Sequence, residues 1–447
     1  ILGGFCKGLS VASTKLKATI RFCSDGLFLM LLSFLYRSLW RIAPPLIRRY
    51  LRRRARKNPA YLEHWGERFG VPHPAPVRNP IWLHAVSVGE TRAAAPLLAA
   101  LRRRFPDAPL LLTQMTPTGR AAAESLYPDA QCRYLPYDKP EYVAQFLAEH
   151  RPRLGILMET EIWPHLAAAC AAQGVPLFLA NARLSEKSLR GYQKAASLIR
   201  PAMQSLAGCY AQSEADAGRL KSLGAAAPVV CGNTKYDIAP PTGQLALGAQ
   251  FRALAGGRKV LVCGSTRFYH GEDEAALLLR AWREYRGDAL LVVVPRHPER
   301  FDDAFQTALS LGFRTQRRSS GQAIAADTQV WIGDSMGELY AYYAMADAVF
   351  VGGSLVDSGC QNPIEPMACG KPVMFGFSTY NFAAVCAEAL AAGAAHQVAD
   401  AEEWLDTARQ WLDGESGRAP FAARAAGFVA RHRGASEKIA ELVAEAV

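Results

Sequence analysis

From Pro80 onward the sequence alternates short apolar runs with alanine-rich amphipathic stretches, and this rhythm leaves few folds open. The apolar runs at 81–86, 109–114, 132–135, 154–158, 176–180, 208–212 and 229–231 are short enough to be strands. The stretches between them have helical spacing. Such an alternation predicts βαβ units and a parallel sheet. The segment "APPTGQ", residues 239–244, reads as a linker. The rhythm then restarts, with strands expected at 260–263, 290–294, 330–332, 348–351, 372–375 and 396–398. The prediction is an α/β chain with two doubly wound, Rossmann-like domains, at 79–238 and 245–447, facing a central cleft. At 447 residues the chain is long enough for two cores.

Residues 27–47, "LFLMLLSFLYRSLWRIAPPLI", are apolar but hold Arg37 and Arg41, and Pro44-Pro45 are expected to break them. A membrane-spanning helix needs roughly twenty mostly apolar residues, which this stretch does not supply. Leu31, Leu35, Leu39 and Trp40 recur at helical spacing, and the basic run "RRYLRRRARK" follows. An apolar helix with aromatics beside dense positive charge suits an anionic membrane surface, so 30–78 reads as a membrane-associating arm. The competing reading is a helix packed on its own domain beside a solvated charge run. Residues 1–29 show no periodicity, and Met30 opens the apolar helix, so they read as a leader upstream of the natural start.

The formal net charge of +11 favours an anionic partner. Nucleic acid is disfavoured, because the arginine run adjoins an apolar helix and has no aromatic platform within it. The ten cysteines form no Cys-x-x-Cys pair and no zinc-like spacing with histidine, which points to a reducing compartment and no structural metal. Neither half carries Gly-x-Gly-x-x-Gly or a Walker lysine motif, so the common dinucleotide and NTP readings are weak.

Several polar sets fall where strands end. "HAVSVGET" reads as a strand, a tight turn holding Gly89 and Glu90, then a helix. "METEIWP" brings Glu159 and Glu161, "NARLSEKS" brings Asn181, Arg183 and Ser185, and "GNTKYD" brings Lys235 and Asp237. In the second half "VPRHPERF" ends a strand at Pro295 and Arg296. "GDSMGELY" offers Met336, Gly337 and Glu338. "GGSLVDSGCQNPIEP" leads a glycine-rich loop into a helix, with Asn362 as cap, Pro363 in the first turn, then Ile364 and Glu365. A helix start of this kind offers N–H groups and partial positive charge to a phosphate, and Glu365 can accept ribose hydroxyls or complete a capping box.

Together and in order, these motifs resemble the Kdo (3-deoxy-D-manno-octulosonic acid) transferases of lipopolysaccharide assembly, from about Met30 to near the C-terminus. The resemblance implies a GT-B fold and transfer of Kdo from CMP-Kdo to a tetraacylated lipid A precursor. It further implies inversion, no metal or other cofactor in the transfer step, and a place on the cytoplasmic face of the inner membrane. It places the base at Glu90, transition-state stabilisation at Glu159 and Lys235, and CMP contacts at Pro295-Arg296, Met336-Gly337-Glu338 and Asn362-Pro363-Ile364-Glu365. Two departures stand out: Cys360-Gln361 where the family has Gly-His, and a longer "RFYHGEDE" after Thr266. A GT-B enzyme of another donor, such as a UDP-sugar transferase or epimerase, and a non-catalytic anionic-lipid binder are the rival readings.

Overall fold

The computed structural model describes residues 25–447, so most of the expected leader, 1–29, lies outside the described residues. The chain divides into two compact units, 1–238 with 434–447 and 239–433. Each is built on a seven-stranded parallel sheet, as the alternation predicted.

In unit 1 the strands are β1 (Ile81–His84), β2 (Leu110–Gln114), β3 (Gln131–Tyr134), β4 (Leu154–Met158), β5 (Leu177–Ala182), β6 (Gly208–Ala211) and β7 (Val229–Val230), in the order β3-β2-β1-β4-β5-β6-β7. Residues of β1, β2 and β4 are buried throughout, as expected of strands covered by helices on both faces. Strand order reverses between β1 and β4, which are hydrogen-bonded neighbours. In open α/β sheets the crevice at such a reversal is where ligands bind.

In unit 2 the strands are β8 (Val260–Thr266), β9 (Phe268–Tyr269), β10 (Glu272–Asp273), β11 (Leu290–Pro295), β12 (Thr315–Arg317), β13 (Val330–Ile332), β14 (Ala348–Val351), β15 (Val373–Phe375) and β16 (Ala395–Gln397). The main order is β12-β13-β11-β8-β14-β15-β16, with the reversal between β8 and β14; β9 and β10 form a separate hairpin.

Three expectations are corrected. The helix Asp25–Ala55 runs through Pro44 and Pro45 rather than breaking there. An internal proline costs a helix about 3 kcal/mol. Here packing offsets it: Leu51 is buried in the core of unit 1, with Trp40, Ile47 and Ala55 against the same cluster. The linker is shorter than 239–244, because Pro241 caps a helix that begins at Thr242. Residues 434–447 do not belong with 245–433. The helix Ala435–Glu445 buries Ile439, Ala440 and Val443 in the same core as Ile81, Leu97 and Leu101. Asp237 fixes its start by accepting from the N–H groups of Gly434 (2.6 Å) and Ser436 (2.7 Å).

Candidate active site

The helix after β1 starts at Val88, so Gly89 and Glu90 lie in its first turn and not in a turn before it. Ser87 is the N-cap, and its hydroxyl accepts from the Glu90 N–H. Glu90 reaches back: Oε2 accepts from the Val86 N–H at 2.8 Å and Oε1 from the Ser87 hydroxyl at 3.0 Å. This is a capping-box arrangement shifted by one residue, and it fixes the carboxylate at the C-terminal end of β1. A partly buried acid at a helix start usually ionises easily. Here burial, and then the Glu159 and Glu161 carboxylates, push Glu90 from its ordinary 4.5 up to about 7.

Glu159 follows β4, the other strand at the reversal. Its backbone is left-handed, with φ of 59°, which is costly for a residue with a Cβ and clusters at functional sites. Its Oε1 accepts from Lys235 Nζ at 2.9 Å. Lys235 rides on a short turn, Thr234–Asp237, capped by Asn233. Asn181, buried at the end of β5 and also left-handed (φ 51°), holds that turn by accepting from the Thr234 N–H at 3.1 Å. Glu161, raised by its own burial, accepts from Trp163 Nε1 at 2.7 Å. The three proposed catalytic residues of unit 1 therefore come together: three carboxylates share one edge, and an ammonium is paired with one of them. His84, in the same motif, is structural. It is fully buried, its burial holds its pKa down at about 3, and Nδ1 lies 2.9 Å from Thr113 Oγ1.

In unit 2, Pro295 closes β11 and Arg296 follows it, exposed and without an ion pair among the described residues. Met336 is 61% exposed, and Gly337 takes φ of 82°. Glu338 accepts from Arg318 (3.2 Å) and from the Ser335 hydroxyl. Arg318 carries no sequence signal beyond its charge and is first seen in the structure. Asn362 Oδ1 accepts from the Ile364 N–H, and Asn362 Nδ2 donates to Glu365 Oε1, both at 3.1 Å. The helix is Ile364–Ala368, five residues long, with Pro363 as its cap. It begins one residue later than expected and sums few peptide dipoles. The glycine-rich loop before it differs more. Gly352 is required because a Cβ would meet the Ser265 carbonyl oxygen at 2.7 Å, and Gly353 adopts φ of 78°. The N–H groups of Gly353, Ser354 and Leu355 are not open to a phosphate, because the buried Glu274 carboxylate already accepts from all three. Gln361 donates to the Gly359 carbonyl at 3.2 Å. Among the described residues no group of three or more His, Cys, Asp or Glu could hold a metal ion.

The family model described as 3-deoxy-D-manno-octulosonic-acid transferase matches residues 63–238. A 3-deoxy-D-manno-octulosonic acid transferase of Bordetella pertussis is 42% identical over 409 residues, 88% of this chain and 94% of its own. The chain belongs to the Kdo transferase family. A Haemophilus influenzae member is 36% identical over 78% of this chain and 83% of its own. A solved UDP-GlcNAc 2-epimerase from Neisseria meningitidis shares the fold, with a TM-score of 0.55 at 14% identity over 83% of this chain and 99% of its own. This Kdo transferase is thus a glycosyltransferase of lipopolysaccharide synthesis on a GT-B type α/β fold.

Proposed function

We propose that this Kdo transferase moves Kdo from CMP-Kdo to a hydroxyl of a tetraacylated lipid A precursor, with inversion and without a metal, Glu90 acting as base. The observation that carries the reading is the Glu90 carboxyl, fixed at the strand reversal of unit 1 and raised to about 7 by burial and the neighbouring Glu159 and Glu161. A base is most useful when its pKa lies near the working pH. Glu90 takes the acceptor proton as the hydroxyl oxygen bonds to the anomeric carbon, and CMP departs with the pair of the broken C–O bond. Lys235, paired with Glu159 at the same sheet edge as Glu90, is the positive group assigned to stabilising the transition state. The nucleotide is assigned to unit 2: Arg296 for the phosphate, a guanidinium task, with Pro295, Met336-Gly337-Glu338 and Asn362-Pro363-Ile364-Glu365 around the rest.

The membrane reading rests on the helix Asp25–Ala55. Leu39 (38% exposed), Ile42 (65%), Leu46 (58%) and Tyr50 (52%) form one open apolar stripe, beside exposed Arg49 and Arg53. Among the described residues no helix is long and apolar enough to cross a membrane. The stripe and its arginines support lying on an anionic leaflet, and the cytoplasmic face of the inner membrane is the place proposed for it. Product analysis with purified enzyme, CMP-Kdo and a tetraacyl lipid A precursor tests the whole reading. Absence of a Kdo-bearing lipid, or equal stabilisation by UDP and CMP in a thermal-shift comparison, would overturn it.

A further inference from the structure

The "RFYHGEDE" segment, longer than the family pattern, folds into the hairpin β9–β10. Its tip residues His270 and Gly271 have φ of 48° and 92°, the positive pair that suits a two-residue hairpin turn. The hairpin returns the chain so that Glu274 faces Arg267, and the Glu274 N–H donates to the Arg267 carbonyl at 3.0 Å. The Glu274 side chain is completely buried. Oε2 accepts from the N–H groups of Gly353 (2.6 Å) and Arg267 (3.0 Å), and Oε1 from those of Ser354 (3.0 Å) and Leu355 (2.9 Å).

Successive backbone N–H groups converging on one point form a nest for an anion. Here the anion is internal. It occupies the crevice between the C-terminal ends of β8 and β14, the reversal of the second sheet, where a ligand is expected. The nest is also tied to the proposed nucleotide segment. The Gln361 N–H donates to the Gly352 carbonyl at 3.0 Å, and the Ser358 hydroxyl donates to the Gly353 carbonyl at 3.1 Å. Asn362 is the next residue. Burial pushes the Glu274 carboxyl up to about 7 even though all four N–H groups favour its charge.

We propose that Glu274 is a positioning residue of the nucleotide site: its carboxylate fills the nest at the end of β14 and thereby sets the course of residues 352–365. The inference rests on the reading of unit 2 as the CMP-binding unit. A glutamine here keeps the shape but turns an NH2 group toward two N–H donors. An aspartate keeps the charge but is one methylene too short to reach all four.

The test is calorimetric titration of CMP into the full chain as wild type, Glu274→Gln and Glu274→Asp, with steady-state kinetics and thermal melts alongside. A mispaired charged hydrogen-bond set predicts CMP affinity and the nucleotide-sugar KM weakened by about tenfold or more in Glu274→Gln. A smaller loss is expected in Glu274→Asp, with the acceptor KM unchanged in both. A folded Glu274→Gln with wild-type CMP affinity overturns the assignment alone. Equal loss for donor and acceptor, or loss of cooperative folding in both variants, makes Glu274 a folding residue and also overturns it. No CMP binding by the wild type overturns the nucleotide reading itself, and the assignment with it.

Discussion

Replacing Glu90 by glutamine separates the cost of holding this carboxylate from its use. The folded protein moves the carboxyl from 4.5 to about 7. At about 1.4 kcal/mol per tenfold, the ionised form is disfavoured by roughly 3 kcal/mol relative to the unfolded chain. Between those two values the folded protein binds a proton that the unfolded chain has released, so stability falls as pH rises across that window. Glutamine resembles the neutral acid. It can accept from the Val86 N–H and donate to Ser87 Oγ, losing about 1 kcal/mol of hydrogen bonding. The expected result is no stability gain below about pH 4.5 and a gain of roughly 2 kcal/mol above pH 7. For a domain of this size that is a rise in Tm of about 4–8 °C. Transfer should fall by roughly 10²–10⁴-fold, and wild-type turnover should rise with pH through about 7 as the base ionises. Thermal melts at two pH values and a pH–rate profile are the assays. A Glu90→Gln protein that turns over near the wild-type rate, or whose Tm gain is the same at both pH values, would refute the reasoning.

Other variants probe the remaining parts. Lys235→Met should lower turnover without weakening CMP binding, and it should destabilise the fold by leaving the half-buried Glu159 carboxylate unpaired; rates, titrations and melts read this. Glu365→Ala should weaken CMP binding by about tenfold through lost acceptor groups, and acceptor KM should stay constant; an unchanged CMP affinity makes Glu365 only the partner of Asn362. Neutralising Arg49 and Arg53 should reduce binding to anionic vesicles at low salt, by about 1 kcal/mol for each charge. Ile42→Ser with Leu46→Ser should reduce it at high salt as well, measured by vesicle co-sedimentation.

The repeating βα pattern was legible in the sequence because buried parallel strands are nearly continuous apolar runs, and every strand expected from such a run is present. The strands that escaped are polar or very short. β12 is "TQR" at a sheet edge with no residue fully buried, and β9 and β10 have two residues each. Glu90, Glu159 and Lys235 could be read from strand-end motifs, and the fold brings them to one edge. Glu274 could not, because its partners Gly353, Ser354 and Leu355 are about eighty residues away and an acid opening a helix looks like an ordinary first-turn residue. Pro44 and Pro45 misled for the opposite reason: local propensity argued for a break, and tertiary packing prevailed. The amphipathic pattern of Ala435–Glu445 predicts a helix but says nothing about which core it covers.

That last helix alters the order in which the protein can be completed. Domains of a growing chain generally fold from the N-terminus as they emerge. Here the segment that covers Ile81, Leu97 and Leu101 is synthesised after the whole of residues 239–433. Unit 1, begun earlier, therefore waits with an apolar patch open until residues 434–447 emerge. During synthesis that patch is a natural target for a chaperone, and a chain that stops short of residue 434 would leave unit 1 unfinished however well residues 239–433 are built.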